Sequence, residues 1–133
     1  MIAGVLDSHL TWAATRGGGA ALTYGFSDTA DFGYAGFSQF TVAQMETTRA
    51  VLAHFAEVAN LTFTEVATNG DYTDDAVMLY GNYDANDGAA AWGGLPGNSG
   101  FGSFSGNVWV NTNTPPVEAP VPGSPYYFMM LHE

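Results

Sequence analysis

No cysteine occurs in the 133 residues, which excludes disulfides and thiolate metal sites. Basic side chains are almost as scarce, with only Arg16 and Arg49 against 13 acidic residues. The net charge of -11 repels phosphate backbones and anionic lipid, so neither nucleic acid nor a membrane surface is an expected partner. No apolar run approaches the roughly 20 residues of a membrane-spanning helix. The opening MIAGVLDSHLTWAATRGGG has neither a basic cluster nor a sustained apolar stretch, so it does not read as a cleaved signal peptide. Export by a route without such a signal is compatible with it.

What is present points to a packed domain. Apolar residues make up 47% and aromatics 14%, too much for global disorder. The length suits one domain, or one lobe of a larger one. Residues 1–16 form an irregular lead-in with Val5, Leu6, Leu10 and Trp12 as anchors, and Gly17 to Gly19 break the chain. Leu22, Tyr24 and Phe26 alternate within AALTYGF (20–26) and predict a half-buried strand. Residues 27–40 read as a loop pinned by Phe32, Tyr34, Phe37 and Phe40.

Thr41 and Gln44 have capping-box spacing, and Phe40 and Met45 have that of a hydrophobic staple. Met45, Thr48, Leu52, Phe55 and Ala59 then recur at helical spacing, predicting a helix over 42–59 with that stripe facing the core. Glu46, Thr47, Arg49 and His54 fall off the stripe, and Asn60 is the expected end. Residues 61–67 alternate as a strand with Leu61 and Phe63 on one side. Ala76–Tyr80 is a continuous apolar run, as in a strand covered on both faces. Residues 82–88 read as a polar loop, 89–95 as a short edge strand and 107–111 as a further strand. Four prolines between 112 and 123 exclude that segment from a sheet interior. Ser124 and Pro125 then start a last helix as N-cap and first helical residue. It carries no terminal cap and stays apolar almost to residue 133, so the chain is expected to stop inside a longer helix.

That helix carries the sharpest chemical signal, the dipeptide His132-Glu133. In HExxH two histidines lie one turn apart to hold zinc, and the glutamate acts as general base. Only the first two letters are present, and an HE pair also arises by chance. His9 and His54 lack ligand spacing to His132, so a complete three-ligand zinc site within this chain is not expected. Asp84, Asn86 and Asp87 before Gly88 offer oxygens to calcium but do not fit the EF-hand pattern, and a solvated turn is the plainer reading. Asp71, Asp74 and Asp75 read as surface residues. Trp92 and Trp109 read as core or rim residues. Gly93 and Gly94 beside Trp92 leave room for another backbone to pair along the edge strand.

The order of these pieces resembles the N-terminal part of the catalytic domain of serralysin-like metallopeptidases, of the metzincin group. VLAHFAEVANLTFTEV (51–66) is similar to that family's long helix feeding a strand. AAWGGLPG (90–97) is similar to its edge strand and following loop, and NVWVN (107–111) to the next strand. Leu131-His132-Glu133 coincides with the start of HExxHxxGxxH. The resemblance implies an α+β (α/β-like) fold. Its elements would be a twisted mixed sheet with an antiparallel edge strand, one long backing helix and the start of the active-site helix. It implies His132 as the first zinc ligand, Glu133 as general base, and Ala91, Trp92, Gly93, Gly94 and Leu95 as the edge that aligns a peptide or protein substrate. It further implies zinc as cofactor, with calcium in the parent protein, and secretion without a classical signal peptide. The family's remaining histidines, Met-turn, nearby tyrosine and calcium-binding repeats are not among these residues. The chain alone is therefore expected to be inactive, and a C-terminal fragment is expected to complete the zinc site. The alternative is a non-enzymatic module that keeps the sheet and holds a peptide or protein at its exposed edge. A third reading is an acidic structural domain with an accidental HE.

Overall fold

A computed structural model describes residues 18–29, 36–68, 76–94, 105–113 and 121–132. The readings of the lead-in with His9, of Phe32 and Tyr34, of Asp71 to Asp75, of Leu95, of the first three prolines and of Glu133 lie outside the described residues.

Seven elements follow one another: β1 (Ala20–Phe26), α1 (Val42–Val58), β2 (Leu61–Glu65), β3 (Met78–Tyr83), β4 (Ala91–Gly93), β5 (Val108–Asn111) and α2 (Pro125–His132). The strands form one sheet in the order β2-β1-β3-β5-β4. All neighbours are parallel except β4, which runs antiparallel to β5. This is the expected mixed α+β architecture with an antiparallel edge strand and a backing helix. The central strands are covered on both faces, and every residue of β5 is buried. The outer strand β2 keeps the alternation of an edge, with Leu61 and Phe63 half-buried and Thr62 and Thr64 exposed.

The start of α1 follows its sequence signal. The Thr41 hydroxyl accepts from the Gln44 backbone N–H at 3.2 Å, and the Thr41 N–H donates to Gln44 Oε1 at 2.8 Å. The helix ends one residue earlier than expected, with Ala59 as extended C-cap returning its N–H to Phe55.

The buried face differs from the predicted stripe. It comprises Gln44, Thr47, Thr48, Val51 and Leu52, whereas Phe55 and Ala59 are exposed and Met45 is half-buried. Both sets have helical spacing, so apolar periodicity alone did not choose between them. Polar contacts did: Gln44 bonds side chains on β3 and α2, and that turns its own face inward. A second correction concerns β3. It continues through Gly81 into Asn82 and Tyr83, the first two residues of what reads as a polar loop, and all three are buried.

Two clusters fill the faces of the sheet. Tyr24, Tyr80, Val108 and Val110 meet Val51 and Leu52 of α1 and Tyr126, Tyr127 and Met130 of α2. On the other face Tyr83 and Trp109 pack with Phe37, Ala85 and Trp92. Trp92 and Trp109 stack with centroids 6.1 Å apart. Gly81 is needed there, since a Cβ would lie 2.8 Å from the Trp109 ring.

Arg49 forms a bidentate pair with Glu65 at 2.7 Å for both contacts, tying α1 to β2, and Tyr24 donates to the same carboxylate at 3.1 Å. The Arg49 hydrogen bonds hold the Glu65 carboxyl below its ordinary value of 4.5. A depressed carboxylate stabilises the fold above its unfolded pKa and loses that contribution as pH falls through the folded value. Both side chains are roughly two-fifths exposed (42% and 38%), so solvent screening limits the effect to about 0.2–1 kcal/mol. Glu65→Gln is expected to lower stability by this amount at pH 7. The difference from the parent chain should shrink towards zero in chemical denaturation as pH falls through the folded value.

Candidate functional site

Two features of this fold bear on the expected site: the outer edge of β4 and a short helix that carries a histidine at its end. The antiparallel pairing decides which backbone groups of β4 face outward. Asn111 N–H donates to Ala90 O at 2.9 Å, and Gly94 N–H donates to Asn107 O at 2.8 Å. With Trp92 opposite Trp109, residues 90, 92 and 94 face β5, and the alternation turns the peptide groups of Ala91 and Gly93 away from the sheet. Among the described residues no strand pairs with that outer edge. Of the five predicted edge residues, Ala91, Trp92 and Gly93 therefore lie on β4. Gly94 is buried and committed to internal bonds, also accepting from Gly106 N–H at 2.7 Å. Leu95 lies outside the described residues.

The edge strand is held from behind by a residue that pattern reading did not single out. Asn111, fully buried at the end of β5, donates through Nδ2 to Ala85 O, Asp87 Oδ1 and Ala89 O, and accepts from Ala85 N–H and Asn113 N–H. These bonds shape the 84–90 turn that delivers the chain to β4. Asp87 also accepts from Ala89 N–H and from the Tyr83 hydroxyl. The Ala89 bond is the main reason why its carboxyl stays below the usual range. Asp87 is thus a turn residue, as the plainer reading expected. The available signal for Asn111 was an asparagine, a poor strand former, closing an apolar strand.

α2 begins with the expected cap, Tyr127 N–H donating to Ser124 Oγ at 3.2 Å. It buries Tyr126, Tyr127 and Met130 and exposes Phe128. Burial pushes the Tyr126 hydroxyl up to about 12, so it stays protonated. His132 is the last residue of the helix and is exposed. It stands beside an open apolar groove of about 210 Å³, lined by Leu22, Val51, Phe63 and Met130 among others. His54 is exposed on α1 beside Glu57, with its ring 6.2 Å from that of Tyr127.

A catalytic zinc site takes three protein ligands and leaves one position open. Among the described residues no three His, Cys, Asp or Glu side chains gather to hold a metal ion. They supply two exposed imidazoles, those of His54 and His132, without a third ligand side chain grouped with either, and so do not make a zinc site by themselves. Glu133 lies outside the described residues. Among those residues, no helix is long and apolar enough to cross a membrane.

The described fold is of the α+β class, a mixed sheet with an antiparallel edge strand, a backing helix and a second helix packed on the same face. The chain is similar to serralysins and a related metallopeptidase over 69% to 88% of its length. Metallopeptidase AprA of Pseudomonas marginalis is 40% identical over 99 residues, covering 69% of this chain and 20% of the relative. Serralysin G and serralysin B of Dickeya chrysanthemi are 33% and 34% identical over 123 and 128 residues, covering 82% and 88% of this chain. These similarities support a relationship to the serralysin-like metalloprotease family. No protein-family model matches the chain. The chain spans only 20% to 25% of the length of these relatives.

Proposed function

We propose that residues 1–133 are the N-terminal portion of the catalytic domain of a secreted zinc endopeptidase that cleaves peptide bonds of extracellular proteins. The observation that carries this reading is the sustained similarity to serralysins, over up to 88% of the chain at 33–40% identity. A β4 edge that no strand pairs with among the described residues, and an exposed His132 at the end of α2, are compatible with it. In this reading an extended peptide pairs with the outward groups of Ala91 and Gly93, next to Trp92; Gly94, whose N–H and C=O are used internally, only ends the strand, and Leu95 would extend the contact beyond it. The imidazole of His132 is one metal ligand, and the Glu133 carboxylate takes a proton from the attacking water. Zinc would polarise the scissile carbonyl and lower the pKa of water. The other ligands would come from sequence outside these residues, and calcium would belong to other parts of the parent protein. The isolated chain would be inactive.

The test is hydrolysis of a denatured protein by the full-length protein that contains this chain. Expected is activity that a chelator removes and added zinc restores, with none from the isolated 133 residues. A full-length protein that binds extended peptides without cleaving them would replace this reading with that of a non-enzymatic binding module, which the same free edge would serve.

A further inference from the structure

The buried polar contact between α1, β3 and α2 has a use beyond holding the core together. Gln44, Asn82 and Tyr126 are at most 3% exposed. Gln44 Nε2 donates to Asn82 Oδ1 at 2.8 Å and to the Tyr126 hydroxyl at 3.2 Å. Gln44 Oε1 accepts from Thr41 N–H at 2.8 Å and from Asn82 Nδ2 at 3.1 Å. Asn82 Nδ2 also donates to Gln39 O at 3.1 Å. The Gln44 amide has two donor hydrogens and two acceptor lone pairs, and all four are used. Its orientation is therefore fixed from three sides by the capping box and by β3. Only one of its bonds reaches α2, and it reaches the first turn.

α2 has eight residues, too few to be a stable helix by itself. Its pose depends on what it packs against. Met130, one turn after Tyr126, faces the same core, and apolar packing of this kind tolerates small rotations of a helix. A directional hydrogen bond at Tyr126 does not. A helix turns as a unit, so fixing the Tyr126 hydroxyl also fixes the direction of the imidazole six residues on.

We propose that Tyr126 and Gln44 are positioning residues for His132: their hydrogen bond sets the rotation of α2 about its axis and so aims the His132 ring. This rests on the assignment of His132 as a metal ligand in the full-length endopeptidase. The variant is Tyr126→Phe, which keeps the ring and removes the acceptor. In the full-length protein kcat is expected to fall about tenfold with KM changed less than about twofold, since displacements under 1 Å at a reacting centre have effects of this order. The visible absorption of the cobalt-substituted enzyme is expected to shift. Leu79→Ala, on the opposite face of the sheet, serves as the control that lowers the melting temperature. It should leave the cobalt spectrum and kcat unchanged when assayed below its transition.

A Tyr126→Phe protein with lowered melting temperature but unchanged kcat and cobalt spectrum would overturn the proposal. If the full-length parent itself takes up neither zinc nor cobalt, the ligand assignment fails. Positioning is then read from the His132 ring signals in the nuclear magnetic resonance spectrum of the metal-free protein. Shifted signals in Tyr126→Phe support it, and unchanged signals overturn it.

Discussion

Trp109→Ala is expected to lower unfolding stability by about 3–5 kcal/mol, the usual loss when a buried tryptophan is truncated. Trp109 is the largest fully buried side chain among the described residues, at 1% exposure. It packs with Tyr83 on the second face of the sheet, between the Trp92 ring and Phe37. Gly81 beneath it leaves no side chain that could move into the space. A domain of this size has only about 5–15 kcal/mol in hand, so the melting temperature should drop by roughly 10–20 °C. Denaturant titration with circular dichroism detection checks this. A loss below about 1 kcal/mol would mean that Trp92 and Phe37 collapse onto the vacated site.

The second large effect concerns the proposed chemistry. Glu133→Gln in the full-length protein is expected to reduce kcat by about 10²–10⁴-fold, the range for removing a general base. Zinc content should be unaffected, because the amide replaces a proton acceptor and not a ligand. His132→Ala should instead lose both activity and metal. Equal loss of metal in the two variants would mean that Glu133 acts as a ligand and not as a base.

Much of the fold was legible because its signals are local. The Thr41–Gln44 box, the alternation of Leu22, Tyr24 and Phe26, and the Ser124-Pro125 start each need only a few residues of context, and each element begins where they mark it. What was not legible depends on partners distant in sequence. The inward turn of Gln44 and Thr47 rests on Asn82, 38 residues on, and on Tyr126, 82 residues on. The extension of β3 through Asn82 has the same origin, since its amide finds partners only once α1 is in place. Asn111 likewise organises a turn more than twenty residues before it.

The candidate site divides in the same way. The edge strand was legible from Ala91, Trp92 and Gly93 with the glycines beside them, but which peptide groups face outward needed the register against β5. The dipeptide His132-Glu133 drew its meaning in the sequence from the order of the pieces before it, and its catalytic role belongs to the proposed function.

The most direct test of the central claim is zinc content of the purified full-length protein, measured by elemental analysis beside His132→Ala. The account predicts about one tightly held zinc per catalytic site in the parent protein and its loss in the variant. A parent protein without zinc, or one that keeps its zinc when His132 is alanine, would contradict it.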